Sequence, residues 1–287
     1  MPPTKKKTPR ELPRYKELKR KRDEANFKQS VLVERNVNVF ARNWATPPRP
    51  NKHLVLLKTH VLNDEEHDAL GSFFTPGSTP KVLITTSPGA KVPAFKFCME
   101  MRRCIPNSDV FSRRKVPMKK IVVQAKEKGF TDLLVVHEDR KKPNGLTICH
   151  LPDGPTAYFK INSLRYTKQI KGAGEPTSHY PEVILNNFRT RLGHTIARQL
   201  ACLFPYDPQF HGRRVVTFHN QRDYIFFRHH RYEFKKEGER AALHELGPRF
   251  TLRLKWLQKG TFNTRDGEYE WVFKRREMET SRRKFVL

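Results

Sequence analysis

What this 287-residue sequence has little of is negative charge: 29 Asp and Glu stand against 57 Lys and Arg, a formal net charge of +28. A catalytic centre of converging carboxylates therefore has few residues to draw on. The one dense acidic stretch is Asp64-Glu65-Glu66-His67-Asp68. Consecutive carboxylates on a helix-like stretch spread over its faces instead of converging on Mg²⁺, and an acidic helix start is favoured by the macrodipole. Cysteine is also scarce: Cys98, Cys104, Cys149 and Cys202, with no C-x-x-C pair. Paired short spacings are what a tetrahedral zinc site needs, so ordinary buried, reduced thiols are expected and no metal. The 12 histidines include His229-His230, but neighbours on a strand point to opposite faces and chelate one ion poorly. Long apolar runs are missing too. Stretches such as Leu54–Leu57 and Tyr224–Phe227 fall far short of the ~20 residues a membrane helix requires. The opening Met-Pro-Pro-Thr-Lys-Lys-Lys has no apolar core of a secretory signal, so a soluble intracellular protein is expected.

Enzyme signatures are absent in the same way. There is no G-x-x-x-x-G-K-[ST], no G-x-S-x-G and no H-E-x-x-H; His244-Glu245-Leu-Gly-Pro lacks the second histidine. Gly172-Ala-Gly174 continues Glu-Pro-Thr and is no dinucleotide fingerprint. No nucleophile–base pair stands out. The reading is of a non-enzyme without cofactor or small-molecule substrate.

What is present is cationic charge in clusters. Residues 1–22 carry ten Lys and Arg against two Glu, and the last fourteen carry six against two. A surplus this large is met by a polyanion, and counterion release makes nucleic acid the natural one. Lys5-Lys6-Lys7 and Lys19-Arg20-Lys21-Arg22 read as nuclear-import signals. Candidate phosphate contacts inside the fold are Arg113, Arg114, Lys115, Arg213, Arg214, Arg228 and Arg231. Along Tyr224–Phe234 aromatics and bases share faces, which suits phosphate contact and base stacking; the competing reading is a strand with core aromatics and solvated arginines. No helix-turn-helix, finger or basic zipper is present to enter a major groove, so RNA is preferred to DNA.

Pattern and punctuation predict an α/β fold. Lys81–Thr86 is a buried strand; a helix opens at Pro93 with Ala94, Phe97, Cys98, Met101 and Ile105 on one stripe; a short strand follows at 109–111. A second helix runs from Pro117 to a glycine stop at Gly129, then a strand at 131–137, a turn at Pro143-Asn144-Gly145 and a returning strand at 146–151. Further strands are read at 157–164, 182–187, 213–218, 224–234 and 249–256, with a helix over 191–204; the last strand alternates cleanly, Phe250, Leu252, Leu254 and Trp256 facing one side and Arg249, Thr251, Arg253 and Lys255 the other. Two segments about one hundred residues apart agree in order: Lys81-Val-Leu-Ile-Thr-Thr86, a helix, Cys104-Ile-Pro106, Asp109, Phe111; and Glu182-Val-Ile-Leu-Asn-Asn187, a helix, Cys202-Leu-Phe-Pro205, Asp207, Phe210. This predicts duplicated α/β halves related by a pseudo-twofold. The expected organisation is a basic N-terminal extension and linker over 1–79, a domain over 80–265 with halves at about 80–170 and 180–265, and a basic C-terminal tail over 266–287.

Four stretches carry a resemblance: Lys81–Pro88; His179-Tyr-Pro-Glu-Val-Ile-Leu-Asn-Asn-Phe188; the hairpin Arg213–Tyr232 with Phe218-His-Asn-Gln-Arg-Asp-Tyr-Ile-Phe-Phe-Arg; and Glu245-Leu-Gly-Pro-Arg-Phe-Thr-Leu-Arg-Leu254. There, over about residues 80–287, the chain resembles the Brix-domain family of ribosome assembly factors. Its ending, from Leu257-Gln-Lys-Gly-Thr-Phe262 to Ser281-Arg-Arg-Lys-Phe285, resembles the branch acting on the large subunit. The resemblance implies two halves, each like the anticodon-binding domain of certain aminoacyl-tRNA synthetases. It implies a non-enzymatic protein of the nucleus and nucleolus that binds pre-ribosomal RNA, a dedicated partner assembly factor and other proteins of large-subunit (pre-60S) precursors. It offers no catalytic residues. Two alternatives from other classes are a metal-dependent RNA-processing nuclease using Asp64, Glu65 or Asp68, and a structural ribosomal protein.

Overall fold

The computed structural model describes residues 70–235, 240–262, 267–278 and 285–287. The fold lies in one compact unit, Asn51–Glu233 with Ala241–Leu287; of the other, Met1–Pro50 with Phe234–Arg240, only residues 234, 235 and 240 are described.

Val82–Thr86 (β1) is buried at all five positions, as a parallel strand covered on both faces must be. Val92–Cys104 (α1) carries a proline in its first turn and buries the stripe Ala94, Phe97, Cys98, Met101 and Cys104. Ser108–Val110 (β2) follows, then Met118–Glu127 (α2), then three antiparallel strands: Asp132–Asp139 (β3), Lys142–His150 (β4) and Thr156–Arg165 (β5). The second half repeats the scheme with Glu182–Asn186 (β6), Arg191–Ala201 (α3), Arg214–Gln221 (β7), Tyr224–Lys235 (β8), Arg240–Glu245 (β9) and Arg249–Gln258 (β10). Thr190 caps α3, its Oγ1 accepting from the Gly193 N–H at 2.9 Å.

One sheet runs in the order β2-β1-β3-β4-β5-β10-β8-β7-β6, with β9 paired to β8 off this path. Reading outward from the antiparallel β5–β10 seam, the halves run β5-β4-β3-β1 and β10-β8-β7-β6, in each case ending on a parallel pair. The expected duplication is therefore visible as topology, with the pseudo-twofold at the seam. Among the described residues only the first half has β2 and α2, and only the second has β9. Among residues 202–213, which connect α3 to β7, the structure has a single short 3-10 turn at Phe210–Gly212.

α1 and α3 lie on the same face of the sheet and each reaches across the seam. Phe97 of α1 meets the edge of Phe250, which stacks on Phe227 at 4.4 Å between centroids. Gln199 of α3 donates to the carbonyls of Ile148 and Pro155 in the first half. Two histidines at matching places in the halves complete the lock. His150 pairs with the buried Asp132 through Nδ1 and with the Gln199 carbonyl through Nε2. His229 sits 3.4 Å from Cys104 Sγ at the end of α1.

The His229 tautomer follows from its partners. Arg214 Nε can only donate, at 3.3 Å to His229 Nε2, so Nδ1–H donates to the Gly247 carbonyl at 2.9 Å. Burial first, and the Arg214 guanidinium second, hold this imidazole down at about 4. The unfolded chain takes up a proton near pH 6.5 that the folded chain refuses until about 4. Stability from this site is complete above pH 6.5 and is lost as pH falls, by roughly 3 kcal/mol at pH 4. Comparing pH-dependent chemical denaturation of the wild type and His229→Gln isolates the effect: the variant is expected to lack this part of the acid slope, and equal slopes contradict the assignment.

Four expectations from the sequence are revised. Pro143-Asn144-Gly145 is no turn. The chain reverses at Arg140-Lys141, both at positive φ, and Pro143 is accommodated in β4 at a register shift. Gly145 is required in the strand for another reason, since a Cβ there would meet the Tyr158 ring within 3 Å. Trp256 does not continue the buried row Phe250, Leu252, Leu254. A bulge between Leu254 and Trp256 shifts the register, so Leu257 is buried and Trp256 stacks on Tyr158 at 5.5 Å. Packed structure begins before residue 80: Leu70 is fully buried, Phe73 packs on His150 and Phe74 lies under Arg198. Residues 266–287 are not simply a tail. Tyr269–Val272 (β11) pairs with β10, Arg275–Met278 (α4) is a single turn, and the Val286 and Leu287 amides both donate to Asp223 Oδ1 at 2.8 and 2.9 Å.

Candidate nucleic-acid interface

With α1 and α3 on one face, the opposite face of the sheet is covered by α2 only at the first half, where Ile121, Val122 and Ala125 pack on Leu83, Leu133, Val135 and Cys149. Around the seam the described residues leave it partly exposed, and period-two alternation decides what it shows. In β8, Ile225, Phe227 and His229 point under the helices and are fully buried, while Tyr224, Phe226, Arg228 and His230 point the other way and are half-buried.

Pairing register brings the neighbours alongside. One transverse row is His219–Phe226–Thr251–Asn162. In the next row Arg253 pairs with Lys160, and its guanidinium lies 5.0 Å from the Tyr224 centroid. Arg253 and Lys255 both lie over Phe273, at 4.5 and 4.2 Å, and Arg228 lies 5.7 Å from Phe226. Tyr158 and Trp256 close the first-half side, with Tyr269 edge-on to the indole. From β4 to β7 this is a platform of five strands, about 20 Å across at ~4.8 Å per strand. Its cations are Lys160, Arg228, Arg253 and Lys255. The nearby Glu245 is held by Arg249 at 2.8 Å. Burial, opposed by Glu245 and reinforced by Arg228 and Arg249, lowers the His230 pKa and keeps the ring neutral near pH 7. Fixed cations beside aromatic rings can neutralise phosphates and offer stacking surfaces together.

The seven residues chosen from the sequence do not form one surface. Arg228 is on the platform. Arg113, Arg114 and Lys115 lie on the loop from β2 to α2, where Arg113 Nε donates to the Val116 carbonyl at 2.8 Å. That loop borders a groove of about 180 Å³ with Phe111 and Lys128 in its wall. Arg213 and Arg231 are exposed near the far end of β7 and β8. Arg214 is withdrawn as a phosphate contact. It is 3% exposed, and its guanidinium donates to the carbonyls of Thr177, His179, Arg103 and Cys104 and to His229, so no N–H remains for a ligand. Lys160, Arg253, Lys255, Tyr158 and Trp256 were missed. The alternation of Arg249–Trp256 already places Arg253 and Lys255 on the polar side, but nothing in one strand reveals that Lys160 is its neighbour. The import candidates Lys5, Lys6, Lys7, Lys19, Arg20, Lys21 and Arg22, and the acidic stretch Asp64–Asp68, lie outside the described residues. Among the described residues no three His, Cys, Asp or Glu side chains converge as a metal site. No described helix is long and apolar enough to cross a membrane.

The Brix domain model matches residues 89–256, more than half of the chain, and the chain belongs to the Brix-domain family. It is 70% identical over 227 residues to a Brix domain-containing protein of Caenorhabditis elegans, covering 79% of this chain and 59% of that one. Among its relatives are proteins named Ribosome production factor 1. That of Xenopus laevis is 59% identical over 228 residues, covering 79% of this chain and 66% of the relative. That of Saccharomyces cerevisiae is 41% identical over 278 residues, covering 96% and 89%. The chain thus spans somewhat less than two thirds of the length of the first two relatives.

Proposed function

We propose that this chain is a non-enzymatic ribosome biogenesis factor of the nucleus and nucleolus that binds pre-ribosomal RNA in precursors of the large subunit. There it works beside a dedicated partner assembly factor and other precursor proteins, supporting processing that other components catalyse. The observation that carries this reading is the aromatic and cationic platform across the seam of a Brix domain whose relatives are ribosome production factors. Lys160, Arg228, Arg253 and Lys255 are the proposed phosphate contacts there, with Arg113, Arg114, Lys115, Arg213 and Arg231 as outlying ones.

Gradient sedimentation of the tagged chain, followed by RNA crosslinking with peptide-level mapping, tests the proposal. Crosslinks are expected on β5, β8 and β10, in fractions holding large-subunit precursors. Recovery with small-subunit precursors alone overturns the subunit assignment. Retention in mature, translating ribosomes identifies a structural ribosomal protein instead.

A further inference from the structure

Aromatic and cationic side chains also converge away from the seam, at the groove between the 111–116 loop and α2. Its floor is apolar: Leu83 of β1, Ile121 and Ala125 of α2, and Phe130. Phe111 stands in its wall and is 51% exposed, yet its backbone is pinned on both sides. The Phe111 N–H donates to the Ile84 carbonyl at 2.9 Å, and its carbonyl accepts from Thr85 Oγ1 at 2.9 Å. The loop that follows is closed on itself. The Val116 N–H donates to the Arg113 carbonyl at 3.1 Å, and Arg113 Nε donates back to the Val116 carbonyl at 2.8 Å. The groove is thus built in advance of any ligand, which lowers the cost of ordering it on binding.

The rim carries cations and free polar groups. Lys128 Nζ lies 5.7 Å from the Phe111 centroid, and Arg113 has both terminal nitrogens left over after its loop contact. The exposed side chains of Ser112 and Gln124 make no hydrogen bond among the described residues. No carboxylate lines the groove; Asp109 and Glu127 are outside its wall. This suits an anionic ligand with a flat apolar part. At about 180 Å³ the space is below the roughly 300–1,000 Å³ that encloses a whole small ligand, so one ring enters and the rest stays outside.

Register ties the groove to the platform. Thr85, in the groove wall, begins a transverse row that runs Thr85–Val135–Thr147–Tyr158–Trp256. Four spacings of ~4.8 Å put its ends about 19 Å apart on one face of the sheet. His137 bridges the middle: its Nε2 lies 2.8 Å from Thr147 Oγ1 and its ring meets Tyr158 edge-on at 5.5 Å. Burial first, and the Arg113 guanidinium second, lower the His137 pKa, so the arginine's charge is felt along this row.

We propose that the groove takes one unstacked base of the RNA strand that crosses the platform. The base lies against Phe111 with its edge toward Ser112 and Gln124, and Arg113 and Lys128 hold the flanking phosphates. Splayed bases stacked on aromatic rings and read along their edges are the usual mode of single-stranded RNA recognition. This deepens the reading under Proposed function and rests on it.

Fluorescence anisotropy on the full chain tests the proposal with two probes, an oligoadenosine of about 12 nucleotides and a ribose-phosphate chain of that length without bases. Phe111→Ala is expected to bind oligoadenosine about tenfold more weakly and the base-free chain within about twofold of wild type. Its salt slope and melting temperature should stay unchanged, and Phe111→Trp should restore affinity. Arg113→Ala should instead make the slope shallower by ~0.7. Unchanged oligoadenosine affinity in Phe111→Ala overturns the proposal, as does equal weakening toward both probes. A peptide of alternating Glu and Leu whose binding needs Phe111, where that of RNA does not, assigns the groove to a protein instead. The Lys160, Arg228 and Arg253 triple alanine variant separates the two readings. If it weakens RNA binding and Phe111→Ala does not, the platform stands and the base site falls; if neither does, both fall.

Discussion

Replacing Arg214 by methionine is expected to lower the melting temperature by roughly 10 °C while leaving RNA affinity, measured below the transition, within about twofold of wild type. The side chain joins the two halves. Its Nη1 donates to the Thr177 and His179 carbonyls at 2.5 and 2.7 Å, and its Nη2 to the Arg103 and Cys104 carbonyls at 2.8 and 3.3 Å. The last two acceptors are the C-terminal end of α1, the negative end of the helix dipole, which favours a cation there. Methionine fills the volume but leaves buried acceptors unpaired, at about 1–3 kcal/mol each where no water replaces the donor. A net loss of about 3 kcal/mol corresponds to roughly 10 °C for a fold of this size. Arg214→Lys keeps the charge yet cannot present five N–H groups in a planar fork, so it should fall between the two. Thermal unfolding followed by circular dichroism decides the matter; an unchanged transition together with weakened RNA binding would return Arg214 to the list of phosphate contacts.

The opposite pattern is expected from the platform. Removing Lys160, Arg228 and Arg253 together by alanine substitution should weaken RNA binding by about a hundredfold near physiological salt. The slope of log affinity against log salt should become shallower by about 2, since three phosphate contacts to unpaired RNA contribute ~0.7 each. Lys160 is exposed and the other two lie on the uncovered face, so the melting temperature should move by only a few degrees. A second triple variant, Arg140, Lys141 and Lys142 to alanine, removes the same charge from the exposed β3–β4 turn. It is expected to weaken binding no more than threefold. Filter binding or fluorescence anisotropy across a salt series separates the two. If both triples lose affinity equally, net charge acts without a defined surface, and the platform is not the interface.

Much of the scaffold was legible because local chemistry and tertiary demand agree. A run such as Val-Leu-Ile-Thr-Thr between breakers has to be a buried strand, and a proline followed by apolar residues at helical spacing has to be a helix start. The errors came where a longer-range contact overrode the local signal. Asn144-Gly145 carries a turn motif, but Gly145 serves to admit the Tyr158 ring, and the turn moves to two basic residues that no propensity favours. Trp256 fits an unbroken alternation until pairing with β5 inserts a bulge. The C-terminal residues read as a basic tail because their grip is on the backbone: Asp223 holds the Val286 and Leu287 amides, and Asn220 donates to the Leu287 carbonyl.

The amino-acid order alone settled that the chain is basic, free of recognisable catalytic motifs, α/β in pattern and internally duplicated, because charge, spacing and periodicity are properties of neighbours along the chain. Which cations work together was decided by tertiary structure. Arg213 and Arg214 are adjacent in sequence, yet one is exposed and the other is enclosed by carbonyls from two segments, 103–104 and 177–179. Lys160 and Arg253 are far apart in sequence and stand side by side only because the two halves are joined at the β5–β10 seam. The functional sense of a charge depends on which face of the sheet it occupies and what already satisfies it, and both are set by strand register.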